Sequence, residues 1–126
     1  MILLDTSVLI ADHLDRLDPE QTYAASILSR AELEFGIAIA RDAQLGIRRG
    51  RLERLDQLFD WLPYTPATTR AYGILARATH PEAPAQARRI DTYIAAHALE
   101  LGVPFMTANP GDFQHIAQLV TVLPLR

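Results

Sequence analysis

Three consecutive apolar residues, Ile2, Leu3 and Leu4, run directly into the carboxylate of Asp5. No polar residue alternates with them, and such a run suits a strand covered on both faces rather than one with a wet side. A strand of that kind needs helices above and below it, which narrows the chain to layered α/β architectures. Thr6 and Ser7 follow, and Val8, Leu9 and Ile10 resume the apolar pattern. Either hydroxyl is able to cap a helix that Val8 begins, since its oxygen accepts from an orphan helical N–H. Asp5 then stands at the carboxyl end of a central strand, the edge of an open α/β sheet where ligands bind. Taken alone, the same aspartate is equally a turn or capping residue.

The remaining elements alternate in the same way. Residues 15–21 read as a polar loop around Pro19, and 22–27 as a second buried strand. Ser29 and Glu32 have the spacing of a capping box, and Leu33, Ile37 and Ala40 follow at helical intervals. A helix is therefore expected over 29–41, with Glu32 in its first turn. Leu52, Leu55, Leu58 and Phe59 mark an amphipathic helix over 48–61 that Pro63 ends. Residues 62–65 suit a short strand, 68–79 a helix with Tyr72, Leu75 and Ala76 inward, and 80–85, with two prolines, a loop. Ile90, Ile94, Ala95, Ala98 and Leu101 form the strongest helical stripe, with Asp91 in its first turn and Gly102 as its stop. Residues 105–107 are expected as a buried strand, Asn109-Pro110-Gly111 as a turn just before Asp112, and 120–123 as the last strand. The expected fold is one domain over 1–126: a three-layer α/β/α sandwich around a mainly parallel sheet.

Composition removes several function classes. Hydrophobic residues make up 49% and charged residues 21%, the balance of a globular chain. No apolar run approaches the roughly 18 residues that span a bilayer. No basic lead-in precedes Asp5, so neither a membrane anchor nor a secretion signal is expected. Without cysteine there are no disulfides and no thiolate metal sites, which agrees with a cytoplasmic location. The formal net charge of -3 argues against a basic nucleic-acid binder as a whole. All 12 basic residues are arginine, and Arg48, Arg49, Arg51 and Arg54 share the outer face of one expected helix. Such a face is ordinarily only solvated, but guanidinium groups also suit phosphate or an acidic partner.

Asp5, Glu32, Asp91 and Asp112 each fall at a strand end or in a first helical turn, places that lie on one side of a parallel sheet. Helix starts favour negative charge, so Glu32 and Asp91 have a structural explanation as well. Four carboxylates brought within ~5 Å of one another would repel by ~3 kcal/mol per pair at an effective dielectric of about 20. A cluster of that kind either protonates or binds a cation. Oxygen ligands without cysteine favour Mg²⁺ or Mn²⁺ over zinc. His13, His80, His97 and His115 show no paired metal spacing and read as surface or core residues. A carboxylate–metal site points to hydrolysis of phosphate esters, and the chain has neither a nucleophile elbow nor a Walker loop.

The segments Leu4-Asp5-Thr6-Ser7, Ala31-Glu32-Leu33-Glu34-Phe35-Gly36, Asp91-Thr92-Tyr93-Ile94-Ala95-Ala96 and Thr107-Ala108-Asn109-Pro110-Gly111-Asp112-Phe113 together resemble the motifs of PIN domains. They stand in the family's order over nearly the whole chain, and the resemblance is to the VapC-type toxins of bacterial toxin–antitoxin pairs. It implies a Mg²⁺-dependent endoribonuclease, with Mn²⁺ able to substitute, that is usually dimeric and held inactive by a cognate antitoxin. It carries the metal-holding and catalytic acids to Asp5, Glu32, Asp91 and Asp112, and supporting roles to Thr6, Ser7, Thr107 and Asn109. Under it, Arg48, Arg49, Arg51 and Arg54 become candidate contacts for RNA or antitoxin. Ala108 departs from the pattern, since a basic residue is common there in relatives. Glu32 and Glu34 point to nearly opposite sides of a helix, and the family match favours Glu32.

Two other classes compete. A receiver or haloacid-type phosphotransfer domain also places an aspartate after its first strand, but relies on a lysine that this chain lacks. The haloacid pattern further wants an aspartate where Ser7 stands. A non-catalytic PIN-like interaction module would be expected to have lost at least one acid, and all four are present.

Overall fold

A computed structural model describes residues 1–10, 13–87 and 89–126. Among the described residues, strands Ile2–Leu4 (β1), Tyr23–Ala25 (β2), Phe105–Thr107 (β3) and Val122–Pro124 (β4) form one sheet in the order β2–β1–β3–β4, with every pairing parallel. Helices Thr6–Ile10 (α1), Ile27–Ala38 (α2), Ala43–Leu58 (α3), Pro66–Thr79 (α4), Pro84–Ala87 (α5) and Ile90–Leu101 (α6) fill the connections, and 3₁₀ segments cover Leu14–Arg16 and Pro110–Ile116.

The register explains the opening apolar run. Leu3 lies opposite Ala24 and Phe105, Leu4 opposite Ala25 and Met106. Successive strand residues face opposite sides, so Leu3 packs with Leu75 of α4 and Ile94 of α6, while Leu4 packs with Val8, Leu33, Leu52 and Leu55 of α1, α2 and α3. Both leucines are completely buried. The expected three-layer α/β/α sandwich is the observed one, with α4 and α6 on one face and α1, α2 and α3 on the other.

Several boundaries differ from the sequence reading, and one difference matters for function. β2 ends at Ala25, and Ser26 caps α2 through its hydroxyl, which accepts from the Leu28 N–H at 3.0 Å. Ser29 is therefore a buried residue inside the helix rather than its cap, and Glu32 is the sixth helical residue rather than a first-turn acid. The capping-box explanation of Glu32 is removed. Elsewhere, α3 runs from Ala43 to Leu58 instead of over 48–61, because residues ahead of the apolar stripe already sustain the helix. Thr65 and Thr68 cap α4 reciprocally, so it starts at Pro66. Residues 62–65 contribute one bridge, Leu62 to Ser26, in place of a strand. Pro84 opens the short helix α5 where a loop was expected, and the last strand is Val122–Pro124 rather than 120–123.

A buried polar chain ties these layers together. Ser26 Oγ lies 2.7 Å from Nε2 of His97 on α6, and burial pushes the His97 imidazole down, toward its neutral form. The Nδ1 side faces Glu100 at 3.9 Å, and Glu100 accepts the Thr68 hydroxyl at 2.8 Å. The start of α2 is thereby linked to α6 and α4. Replacing Ser26 with alanine removes a helix cap, worth about 1 kcal/mol, and leaves a buried ring nitrogen unpaired, at about 1–3 kcal/mol. Urea unfolding of Ser26→Ala is expected to show a loss of about 2 kcal/mol or more at unchanged slope. A loss under about 0.5 kcal/mol would contradict this account of the packing.

Candidate metal centre

Asp5 follows β1 directly, and its N–H still bonds to Met106 O at 2.8 Å, so the sheet fixes its backbone. Its Oδ2 accepts two hydroxyl protons, from Ser7 at 2.7 Å and Thr107 at 2.8 Å. Those hydroxyl oxygens are held in turn by backbone donors: Ala108 N–H on Ser7 and Asn109 N–H on Thr107, each at 3.0 Å. Oδ2 is saturated and Oδ1 is left to the cleft. Thr6, the first residue of α1, reaches across to α2, where its Oγ1 lies 2.6 Å from Glu32 Oε1 and 2.8 Å from Ser29 Oγ. Thr6 and Ser7 thus spend their hydroxyls on the site and not on helix capping.

All four expected acids, together with Thr6, Ser7 and Asn109, line one open cleft of about 390 Å³ at the carboxyl edge of the sheet. Asp91 sits in the first turn of α6 and is half-buried; its Oδ2 is 3.9 Å from Arg89, while Oδ1 is buried with no hydrogen-bond partner. Burial pushes the Asp91 carboxyl up; Arg89 pulls it down, and the Asp5 charge adds to the rise. Glu32 is also pushed up, first by burial, against the Thr6 hydrogen bond, and further by Asp5 and Asp91. Asp112 stands exposed on the rim, inside the 3₁₀ segment Pro110–Ile116, and is not among the charges that act on Glu32 or Asp91. The turn expected at 109–111 is the start of that segment.

Glu34 settles the helix orientation. It is exposed and pairs with Arg30 at 3.4 Å, on the side of α2 away from Glu32. Among the described residues no three acidic or histidine side chains are drawn close enough to be a ready-made cation cage. The donor set nonetheless fits a hard divalent ion that keeps much of its water and takes few direct carboxylate ligands. The unpartnered Asp91 oxygen and the mutual repulsion of Asp5, Glu32 and Asp91 are what such an ion would relieve.

The PIN domain family model matches residues 2–119, and the chain belongs to that family. Solved structures narrow the likeness. VapBC-5 from Mycobacterium tuberculosis, a member of the VapBC family of toxin-antitoxin systems, is 27% identical with a TM-score of 0.76, over 98% of this chain and 96% of that one. FitAcB from Neisseria gonorrhoeae is 27% identical over 98% and 96% of the two chains, with a TM-score of 0.72. VapBC-1 from nontypeable Haemophilus influenzae is 26% identical over 99% and 98%, with a TM-score of 0.70. No curated protein matches the chain.

Sequence reasoning missed three contributors. Arg89 lines the cleft beside Asp91, and its place two residues before the first-turn acid was the available signal. Ser29 supports Thr6 from inside α2, and its spacing to Glu32 equally fits a capping box. His115 stacks on Phe113 and lies 3.3 Å from the hydroxyl of Thr92, the neighbour of Asp91, a proximity without any mark in the sequence.

Raised carboxyls have a consequence for stability. In metal-free protein, the folded state holds these protons more tightly than the unfolded chain. Their contribution is full below the ordinary carboxylate range near about 4 and is lost as pH rises through the raised folded values. Asp91→Asn removes one such charge. In chelator-treated protein it is expected to melt a few degrees above wild type at about pH 7, with the gap narrowing toward about pH 4. A variant that melts lower across that range would show the Asp91 charge to be structurally compensated.

Proposed function

We propose that the protein is a VapC-type toxin: a Mg²⁺-dependent endoribonuclease that works as a homodimer and is neutralised by a cognate antitoxin. The observation that carries this reading is the cleft itself, which all four family acids line and where Asp91 Oδ1 is buried without a partner. The relative VapBC-5, described as a member of the VapBC family of toxin-antitoxin systems, supports the partner.

Asp5, Glu32 and Asp91 are the residues that would hold the ion, with Asp112 on the rim facing the same space. A bound divalent cation supplies Lewis-acid polarisation of the phosphate and a nucleophile from water near neutral pH. The chain's own part is positional and electrostatic. Ser7 and Thr107 lock one oxygen of Asp5 and so orient the other. Thr6 aims Glu32 from the neighbouring helix. Burial and the neighbouring acids push the Glu32 and Asp91 carboxyls up in the metal-free cleft, a cost that a bound cation would relieve. Phosphodiester hydrolysis needs these functions and no side-chain nucleophile. An RNA substrate would be selected by the surface around the cleft, through shape and unpaired segments.

Purified protein is expected to cut RNA in Mg²⁺ or Mn²⁺ and to stop reversibly on chelation. Glu32→Gln should lower the rate at least about a hundredfold, the scale of a lost metal ligand worth several kcal/mol, at a near wild-type melting temperature. Glu34→Gln, on the far side of α2, should cut at the wild-type rate. Full cleavage by Glu32→Gln, or undiminished cleavage in excess chelator, would rule out the mechanism.

A further inference from the structure

Beside the carboxylate cleft lies a second cavity of about 250 Å³, with Ile10, Glu32, Leu33 and Gly36 on one side and Gln44, Arg48 and Arg51 on the other. Ile10 and Glu32 also line the carboxylate cleft, so the two hollows meet along that edge. Gln44, Arg48 and Arg51 stand at i, i+4 and i+7 on α3, which makes them one stripe of that helix. Arg49 and Arg54 fall off the stripe and are exposed. The run of four arginines therefore splits into two that face the cavity and two that do not.

Both cavity arginines keep unused donors. Arg48 donates from Nη1 to the Gly36 carbonyl at 2.6 Å. That carbonyl belongs to the last turns of α2, where the Ala40 N–H bonds to Ile37 O instead, so it is one of the orphan acceptors of the helix end. A single bond fixes the guanidinium across the gap between α2 and α3 and leaves most of its five-donor fork unused. Arg51 is half-buried and has no hydrogen bond or ion pair among the described residues. Arg30, in the same layer, is by contrast neutralised by Asp56 at 2.9 Å and by Glu34. Among the described residues the one acid on the cavity wall is Glu32, and it is turned to Thr6.

The geometry points to a phosphate subsite. Arg51 and Arg48, with the amide of Gln44, bind the RNA phosphate next to the one that is cut, on the strand side that leaves the cleft over Ile10. This rests on the nuclease reading and deepens it. A polyanion laid across carboxylates is repelled by them, and two guanidiniums at the adjoining edge offset that repulsion with the bidentate geometry phosphate prefers.

The test is steady-state cleavage of a single-stranded RNA oligonucleotide, with uncharged methylphosphonate substituted one position at a time around the cut. Arg51→Gln is expected to raise KM about tenfold with kcat within about twofold, as for the loss of one charge-assisted contact. The salt slope of RNA binding should fall by about 0.7, one phosphate's worth on a single strand. One methylphosphonate position should cost the wild type a similar KM penalty and cost Arg51→Gln none. Arg70→Gln, the same charge change on α4 across the sheet, should keep the wild-type KM, and both variants should keep the wild-type melting temperature. If wild type cuts and Arg51→Gln keeps its KM and salt slope, the subsite is wrong and the nuclease reading stands. A fall in kcat alone, or weakened antitoxin binding with unchanged KM, also overturns it, the latter in favour of a protein carboxylate. If wild type cuts no RNA under any metal condition, the nuclease reading fails and the subsite falls with it.

Discussion

One oxygen of Asp5 takes two hydroxyl protons, from Ser7 and Thr107, and the other groups in the cleft are arranged around that fixed point. The two donors come from opposite ends of the chain, and only the parallel pairing of β1 with β3 brings them together. That pairing depends in turn on the apolar run Ile2–Leu4, which is buried by helices on both faces. A polar residue at Leu3 or Leu4 would therefore reach the cleft through the sheet, by weakening the contact that aligns β1 with β3. The Ala108 and Asn109 N–H groups complete the chain of donors, so the orientation of one carboxylate is set by backbone geometry two bonds removed from it.

The acids around this point are not in a comfortable environment. Helix-start geometry accounts for Asp91 in part, since an N-terminal turn favours negative charge. It does not account for an Asp91 oxygen buried with no donor, nor for Glu32 well inside its helix. Burial dominates for both residues and outweighs the help they receive from Arg89 and from Thr6. A site arranged for its own stability would pair these groups. The unpartnered Asp91 oxygen and the like charges near it are what the proposed cation would relieve.

Much of this was legible in the sequence because the informative signals were local. The unbroken run before Asp5 gave away a doubly covered strand, and the alternation of strands and helices gave away the layers. The glycine stop is confirmed at Gly102, where φ is 66° in the left-handed region. The site acids were legible because each follows a strand or occupies a helix at a motif position. What was not legible needed knowledge of packing. Ser26 and Ser29 both stand at plausible cap positions before Leu33, and only the end of β2 at Ala25 decides for Ser26. Arg51 differs from Arg49 and Arg54 only by which side of α3 meets α2. His97 has no spacing signal at all, because its partner Ser26 is 71 residues away.

The central claim is the proposed one, that Asp5, Glu32 and Asp91 would hold a divalent cation. Direct titration with Mn²⁺, followed by its electron paramagnetic resonance signal, tests that claim without requiring a substrate. Wild-type protein should bind Mn²⁺ saturably, Mg²⁺ should compete it off, and Asp5→Asn, which removes the acid that the hydroxyls orient, should weaken binding at least about tenfold, as expected for a lost charged ligand. Equal Mn²⁺ affinity in wild type and Asp5→Asn, or no saturable binding in either, would contradict the account.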